Sequence, residues 1–439
     1  MATHSPPSPK RKRDSEPPPA PTSLVSLGDD MLAEILRRLP SLPSLASAAF
    51  ASPRLYSVAS SPAVSNCFVS RASLLGYFVS VADGAAPIFH RALLRRDRHL
   101  AAIVRRGDFH LTFFEEYKWR LMDCRHGLLL LRSDRRLVVF DPVSSSRRRI
   151  THKSISSNSF HCFLPPCSSG PTSFRVLSLE NRGGRVHAHV YISRTGEWCS
   201  SHSPSPKGIT VPRNGHRVYL KWPMNGGDCI YWISQNQRLT SLDVGSMEFS
   251  HIDLPEKVSS DPRSYAVGDA EDGTTCLVDI SSISNKLVLG VWFRKENKSW
   301  ELQWEVDASE WSPHGGSSVK KVCNVTAGVV LLCMGFENRG LHYIAFRLKN
   351  AGSLELEADF FTSDGWVHPY FMAWPRPSLK VRQISFFTHF PCTFISCKTS
   401  LSRGTSRSKR KKTSLKDQEA GGSKKKTSLK DQENGSSKK

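Results

Sequence analysis

The sequence predicts an α+β multidomain chain. A small N-terminal helical domain is followed by an all-β, propeller-like domain of about six irregular blades, between disordered basic tails. Three observations predict this. Apolar residues recur at helical spacing before about residue 70 and with period two beyond about residue 100. A unit of three strands joined by polar turns then returns roughly every fifty residues. Both ends of the chain are too polar to bury a core.

Residues 1–22 are rich in Pro and Ser around "PKRKRD" and read as a disordered tail. Lys10, Arg11, Lys12 and Arg13 have the form of a nuclear-localisation patch, a form that a solvated charge run shares.

Residues 23–70 read as a helical domain. Met31, Ile35 and Leu39 fall at i, i+4 and i+8, with Leu32 and Leu36 beside them, which makes an apolar stripe. Asp29 and Asp30 sit where the helix dipole favours anions, and Arg37 and Arg38 where it favours cations. Pro40 stops the helix. Ser52-Pro53 and Ser61-Pro62 are start signals, a capping serine followed by proline in the first turn. The stretch is therefore several short helices, and "ASAAFAS" lets them approach closely.

Residues 71–108 read as a linker with helical and irregular parts. The propeller-like domain is assigned to 109–377, with "FHLTFFEEYKW" (109–119) as a less regular first blade. The recurring unit shows in "GLLLLRSDRRLVVFDPVSSSRRRI" and four later segments, whose second strands begin near Leu137, Ala188, Leu239, Val288 and Tyr343. The spacings are 51, 51, 49 and 55, the period of antiparallel propeller blades. One or two β-sandwiches are the competing reading, and regular spacing over such a length weighs against them.

Residues 378–439 form an atypical segment and a Lys-rich tail in which "KKTSLKDQE" occurs at 411–419 and again at 425–433. Lys409, Arg410, Lys411 and Lys412 make a second basic cluster. The formal net charge is +22, and Leu401–Lys439 holds 13 basic against 4 acidic residues. The middle of the chain lacks a basic stripe with interleaved aromatics, so nucleic acid is not expected as the main partner. No apolar run reaches membrane-spanning length, and no membrane contact is expected. The N-terminus lacks the apolar core of a signal peptide. Eleven cysteines without a C-x-x-C pair read as reduced, mostly core-filling thiols.

Catalytic patterns are missing: there is no phosphate-binding G-x-x-x-x-G-K-[ST] loop, no G-x-S-x-G elbow and no H-E-x-x-H helix. His187 and His189 share a strand face, as a metal pair would, but no third ligand is evident. His126 precedes a glycine turn and reads as a turn residue. Trp198, Trp232, Trp292, Trp300 and Trp304 read as blade packing. No catalytic residue, cofactor or metal is assigned.

"LGDDMLAEILRRLPSLPSLASAAFASPRLYSVASSPAV" (27–64) resembles an F-box of the type common in plants, especially grasses. Leu27, Asp29, Asp30, Leu32, Glu34, Ile35, Leu36, Arg38, Leu39 and Pro40 match the core of that family's pattern, and Arg54, Tyr56, Ser61 and Pro62 its close. Gly28 stands where the family usually has proline, and Tyr56 where tryptophan is common. "DCRHGLLLL", "VYISRTGEW" and "HPYFMAWP" are similar to recurring motifs of its propeller-like associated domain. The resemblance covers 24–377. It implies a non-catalytic substrate-recognition adaptor of an SCF-type (Skp–cullin–F-box) ubiquitin ligase. Leu27, Leu32, Ile35, Leu36, Leu39 and Pro40 would dock the Skp-type adaptor and, through it, a cullin. The propeller would hold an unknown protein substrate. The location implied is the nucleus and/or the cytoplasm. The competing reading is a non-ligase nuclear scaffold whose basic tails contact nucleic acid or acidic partners.

Overall fold

The computed structural model describes residues 26–379, apart from internal stretches of which 201–222 is the longest. The expected disordered tails, with the basic clusters at Lys10–Arg13 and Lys409–Lys412, lie outside the described residues.

Four short helices come first: α1 (Asp29–Arg37), α2 (Leu42–Ala49), α3 (Pro53–Ala59) and α4 (Pro62–Ser65). Asp29 and Asp30 occupy the first turn of α1 and Arg37 the last, as the dipole favours. Ser41 and Ser44 close a reciprocal capping box on α2, with side-chain to backbone bonds of 3.3 and 3.1 Å. Ser52 caps α3 by accepting from the Leu55 N–H at 3.2 Å. At α4, Ser61 is the N-cap residue without a side-chain cap, and Pro62 supplies the pre-set first turn.

The segment expected to be a linker contributes more than a connection. It supplies β1 (Ser73–Val81), β2 (Ile88–Arg91) and α5 (Arg98–Arg106). The stretch read as a less regular first blade contains no strand among its described residues. Thr112–Phe114 is a single 3-10 turn, and Phe109, Leu111 and Phe114 are buried.

Five four-stranded antiparallel blades follow. The first is β3 (Arg120–Arg125), β4 (Leu128–Ser133), β5 (Arg136–Asp141) and β6 (Ser146–Ile150). The second is β7 (Ser159–Phe163), β8 (Arg175–Arg182), β9 (Arg185–Ile192) and β10 (Glu197–Ser200). The third is β11 (Met224–Gly226), β12 (Cys229–Ile233), β13 (Leu239–Asp243) and β14 (Phe249–Ile252). The fourth is β15 (Tyr265–Asp269), β16 (Thr275–Ile283), β17 (Lys286–Arg294) and β18 (Trp300–Asp307). The fifth is β19 (Ser318–Thr326), β20 (Val329–Phe336), β21 (Gly340–Lys349) and β22 (Ser353–Thr362).

The sixth blade closes the ring. The last strand, β23 (Gly365–Met372), pairs antiparallel with β1, and β1 with β2. Its inner strand thus comes from the end of the described chain and its outer two from before the first blade. A six-bladed propeller is the result. The strands expected to be second in each unit are third: Leu137, Ala188, Leu239, Val288 and Tyr343 lie in β5, β9, β13, β17 and β21. The period is as expected, but each unit holds one more strand than its apolar pattern displays.

The helices share a core with the propeller. Leu32, Leu36, Leu45, Ala46 and Val64 belong to one apolar cluster with Leu129, Phe140, Tyr370 and Trp374 of the first and sixth blades. A bundle this small has little core of its own, and this shared burial stabilises it. Trp374 packs edge-on against Phe50 and Tyr56, with ring centroids 6.1 and 5.4 Å away, and its indole N–H donates to the Ala59 carbonyl at 2.8 Å.

Candidate functional site

The residues expected to dock a partner fall into two groups. Leu32 and Leu36 are 2% and 3% exposed and fill the shared core, so they are not available to a partner. Ile35 is 42% exposed and Pro40 lies on the surface, while Leu27 and Leu39 are half-buried against the core. The structure adds Met31 of the apolar stripe, 57% exposed and not among the expected docking residues. Met31, Ile35 and Leu39 follow one another a helical turn apart, so α1 and its end present an apolar ridge, exposed at Met31 and Ile35 and half-buried at Leu39, that leads to Pro40.

The ridge is held at a fixed angle. Arg54, on α3, reaches Asp29 at the start of α1 at 2.8 Å and also donates to the Leu27 carbonyl. Glu34 pairs with Arg37 and Arg38 at 3.0 and 2.8 Å along one side of the ridge. These pairs are exposed and contribute little to stability. Their consequence is a set orientation and a charged border beside the apolar side chains.

The second candidate is the propeller axis. β23, β3 and β7 contact one another in turn, as do β11, β15, β19 and β23, so the inner strands of the blades line the axis. A cavity of about 70 Å³ lies there, bordered by Asp123, Arg125, Cys162, Asn225, Lys321 and Trp366 among others. Asp123 accepts from the Cys124 and Phe163 N–H groups at 2.8 and 2.7 Å. Burial pushes its pKa up, opposed by the charge of Arg125 and by those two bonds. Asp269 accepts from the Gly227 N–H at 2.6 Å, and burial pushes it up in the same way. Burial, then the neighbouring Asp123, pushes the thiols of Cys124 and Cys162 well above the ordinary range, so both are held neutral. A neutral thiol is a poor nucleophile. The axial carboxylates tie inner strands together through backbone N–H groups.

His126 and Gly127 form the tight turn between β3 and β4, with φ of 51° and 71°. Two successive positive φ values are the type I′ geometry that matches strand twist. Burial, then Arg125, lowers the His126 pKa to about 4. His187 and His189 stand in β9 opposite Glu180 and Ser178 of β8. Among the described residues no group of three or more His, Cys, Asp or Glu is placed to hold a metal ion. No helix among them is long and apolar enough to cross a membrane.

Solved structures resemble the chain weakly. The N-terminal domain of Nup159 is 14% identical, with TM-score 0.29, covering 66% of this chain and 67% of that one. Dipeptidyl peptidase 4 of Porphyromonas gingivalis is 9% identical, with TM-score 0.30, covering 66% and 54%. The WD40 domain of SCAP from fission yeast is 10% identical, with TM-score 0.24, covering 54% and 75%. Nothing about function passes from these to the chain. No curated protein matches it significantly. The family model described as "F-box protein AT5G49610-like, beta-propeller" matches residues 120–377, more than half of the sequence. The chain therefore belongs to the family of F-box protein AT5G49610-like beta-propellers.

Proposed function

We propose that this chain is the substrate-recognition subunit of an SCF-type ubiquitin ligase. Residues 27–64 act as its F-box and dock a Skp-type adaptor joined to a cullin. The observation that carries the reading is the apolar ridge formed by exposed Met31, Ile35 and Pro40 with half-buried Leu39 between them, on a bundle whose other face is fixed to the propeller. Large apolar side chains lined up at helical spacing on a surface are interface anchors more often than chance exposure. The chain supplies no chemistry in this role. It holds a target on the propeller near a ubiquitin-conjugating enzyme, and the gain is effective concentration. Membership of an F-box propeller family supports the assignment. Entry to the nucleus through the clusters at Lys10–Arg13 and Lys409–Lys412, beside a cytoplasmic pool, belongs to the same proposal.

The test is a pull-down of the full chain with purified Skp-type adaptor. Ile35→Asp places a charge on the ridge and abolishes capture while the melting temperature stays close to that of the parent, because Ile35 is exposed. Leu36→Ala instead lowers stability by about 2–5 kcal/mol, as for a buried leucine. A folded parent chain that captures no adaptor sinks the proposal.

A further inference from the structure

Charge is divided unevenly over the propeller. Residues 120–222, which span the first two blades, hold 17 basic and 5 acidic residues, whereas 223–377 hold 13 and 20. The acidic side pairs many of its charges. Arg238–Asp253, Lys286–Asp307 and Lys295–Glu301 lie at 2.6, 2.9 and 2.8 Å, and Arg347 is buried against Glu357. In the first blade, Arg147 and Arg149 are exposed on β6, and neither has a carboxylate within ion-pair reach among the described residues.

Their placement is orderly. Strand alternation puts Arg147 and Arg149 on one face, opposite Phe140 and Val138 of β5. Arg148, between them, turns the other way and is buried over Tyr191 and Phe174 of the second blade, 5.4 and 5.8 Å from their rings. Beside the exposed pair stands Phe113, 52% exposed, with the Arg147 guanidinium 5.0 Å from its ring centre. Among the described residues β6 is also the outermost strand of its sheet and pairs with β5 alone. One short strip thus combines a strand edge that no described strand pairs with, two cations at alternate positions and an apolar side chain.

We infer that an extended acidic segment of a partner protein docks along β6, its carboxylates on Arg147 and Arg149 and an apolar side chain against Phe113. An open strand edge offers backbone hydrogen bonds to an extended peptide, and alternate cations select alternate anions on it. A single-stranded nucleic acid would need a bare aromatic face for base stacking. Phe113 has one face under Arg147 and lies edge to face with Phe140, ring centroids 6.5 Å apart. Calling this partner the ligase target rests on the function proposed above. The docking itself rests on the first blade.

The experiment measures binding of the full chain to a labelled twelve-residue peptide of alternating glutamate and threonine. The same peptide with glutamine for glutamate and a single-stranded oligonucleotide of matching charge are the comparisons. The glutamate peptide binds more tightly than the glutamine one, and its affinity falls as salt rises. Arg147→Glu with Arg149→Glu weakens it at least about tenfold, by lost attraction and added repulsion. Arg147→Gln with Arg149→Gln gives a smaller loss and still reads the site if charge reversal harms folding. Lys257→Glu, an exposed change beyond the third blade, leaves binding unchanged. The Lys-rich C-terminal segment is present in every variant, so the differences report on β6 alone. Equal affinity of parent and Arg147/Arg149 variants overturns the inference. So does an oligonucleotide that binds more tightly than the peptide and is lost with the same two arginines. Adaptor capture, measured on the same samples, is unaffected by these changes. Its absence in the parent, with peptide binding intact, would count against the ligase reading and leave the docking site standing.

Discussion

The Trp374 indole N–H donates to the Ala59 carbonyl across a sequence separation of 315 residues, at 2.8 Å and in a buried setting. Trp374 follows β23, which completes the sixth blade, and Ala59 ends α3. A single hydrogen bond therefore joins ring closure to the seating of the helical bundle. If the bundle docks an adaptor and the propeller holds a target, this contact helps to fix the distance between the two.

Trp374→Phe keeps a ring against Phe50 and Tyr56 and removes the donor, leaving a buried carbonyl unsatisfied. The expected loss of stability is about 1–3 kcal/mol. Urea unfolding checks the magnitude, and limited proteolysis checks the location. Cleavage should rise within 26–68 before it rises within the blades. Uniform loosening of the whole chain would show that the contact does not hold the bundle in particular.

Gly28 is the N-cap of α1, with φ −66° and ψ 158° and no side-chain cap. Its φ is the value that proline imposes, and a Cβ there meets nothing within 4 Å. Gly28→Pro therefore restricts the unfolded chain without straining the folded one. It should stabilise by about 0.4–1 kcal/mol. A lower urea midpoint in the variant would mean that the Gly28 N–H or the Leu27 backbone has a role that proline blocks.

Acid should weaken the fold partly through His126. Burial first, then Arg125, holds its folded pKa at about 4, against an ordinary value of 6.5. The unfolded chain takes up this proton as pH falls below about 6.5, and the folded chain does so only near 4. The contribution is thus complete above the unfolded value and is lost progressively down to the folded one, by up to about 3 kcal/mol. His368 is lowered to about 4 by burial and acts in the same direction. Burial raises Asp123, Asp269 and Asp279, which act in the opposite direction and are common to both proteins compared. His126→Asn suits the left-handed turn. It should lose up to about 3 kcal/mol less than the parent between pH 6.5 and 4. Parallel pH profiles for the two would remove His126 from the account.

The propeller was legible because the third strand of most blades carries a long apolar run, as in "RLVVFD" and "KLVLGVWFR". The inner strands of the first four blades were not, being short and lined with mixed residues; β11 is only "MNG". β1 and β2 were missed for a different reason. β1 finds its partner β23 near the far end of the described chain, and no local pattern encodes so distant a pairing. In the helices, 3.6-residue spacing showed two neighbouring apolar rows, Met31–Ile35 and Leu32–Leu36, without showing which row faces the core. That depended on Tyr370, Met372 and Trp374, which join the bundle's core from the last strand and its end. Arg148 looks like its neighbours in "SSSRRRI", yet a usable signal was present: it shares parity with Ile150, and both are buried.

The junction between the fourth and fifth blades has little tolerance for added volume. A Cβ built on Gly268 of β15 would lie 2.1 Å from the Val325 carbonyl oxygen and 2.6 Å from its carbon, both backbone atoms of β19. Backbone cannot rotate aside as a side chain can, so the two inner strands would have to separate. Inner strands line the axis, and a shift there passes to the blades behind them. Gly268→Ala should cost about 3 kcal/mol, the upper end for overpacking a core. Urea unfolding followed by tryptophan fluorescence measures it. The contrast with Gly28 makes the test sharp: one glycine has empty space around it and the other has a neighbouring strand, and only the second should resist a methyl group. A tolerated alanine at Gly268 would show that the ring can widen at this junction.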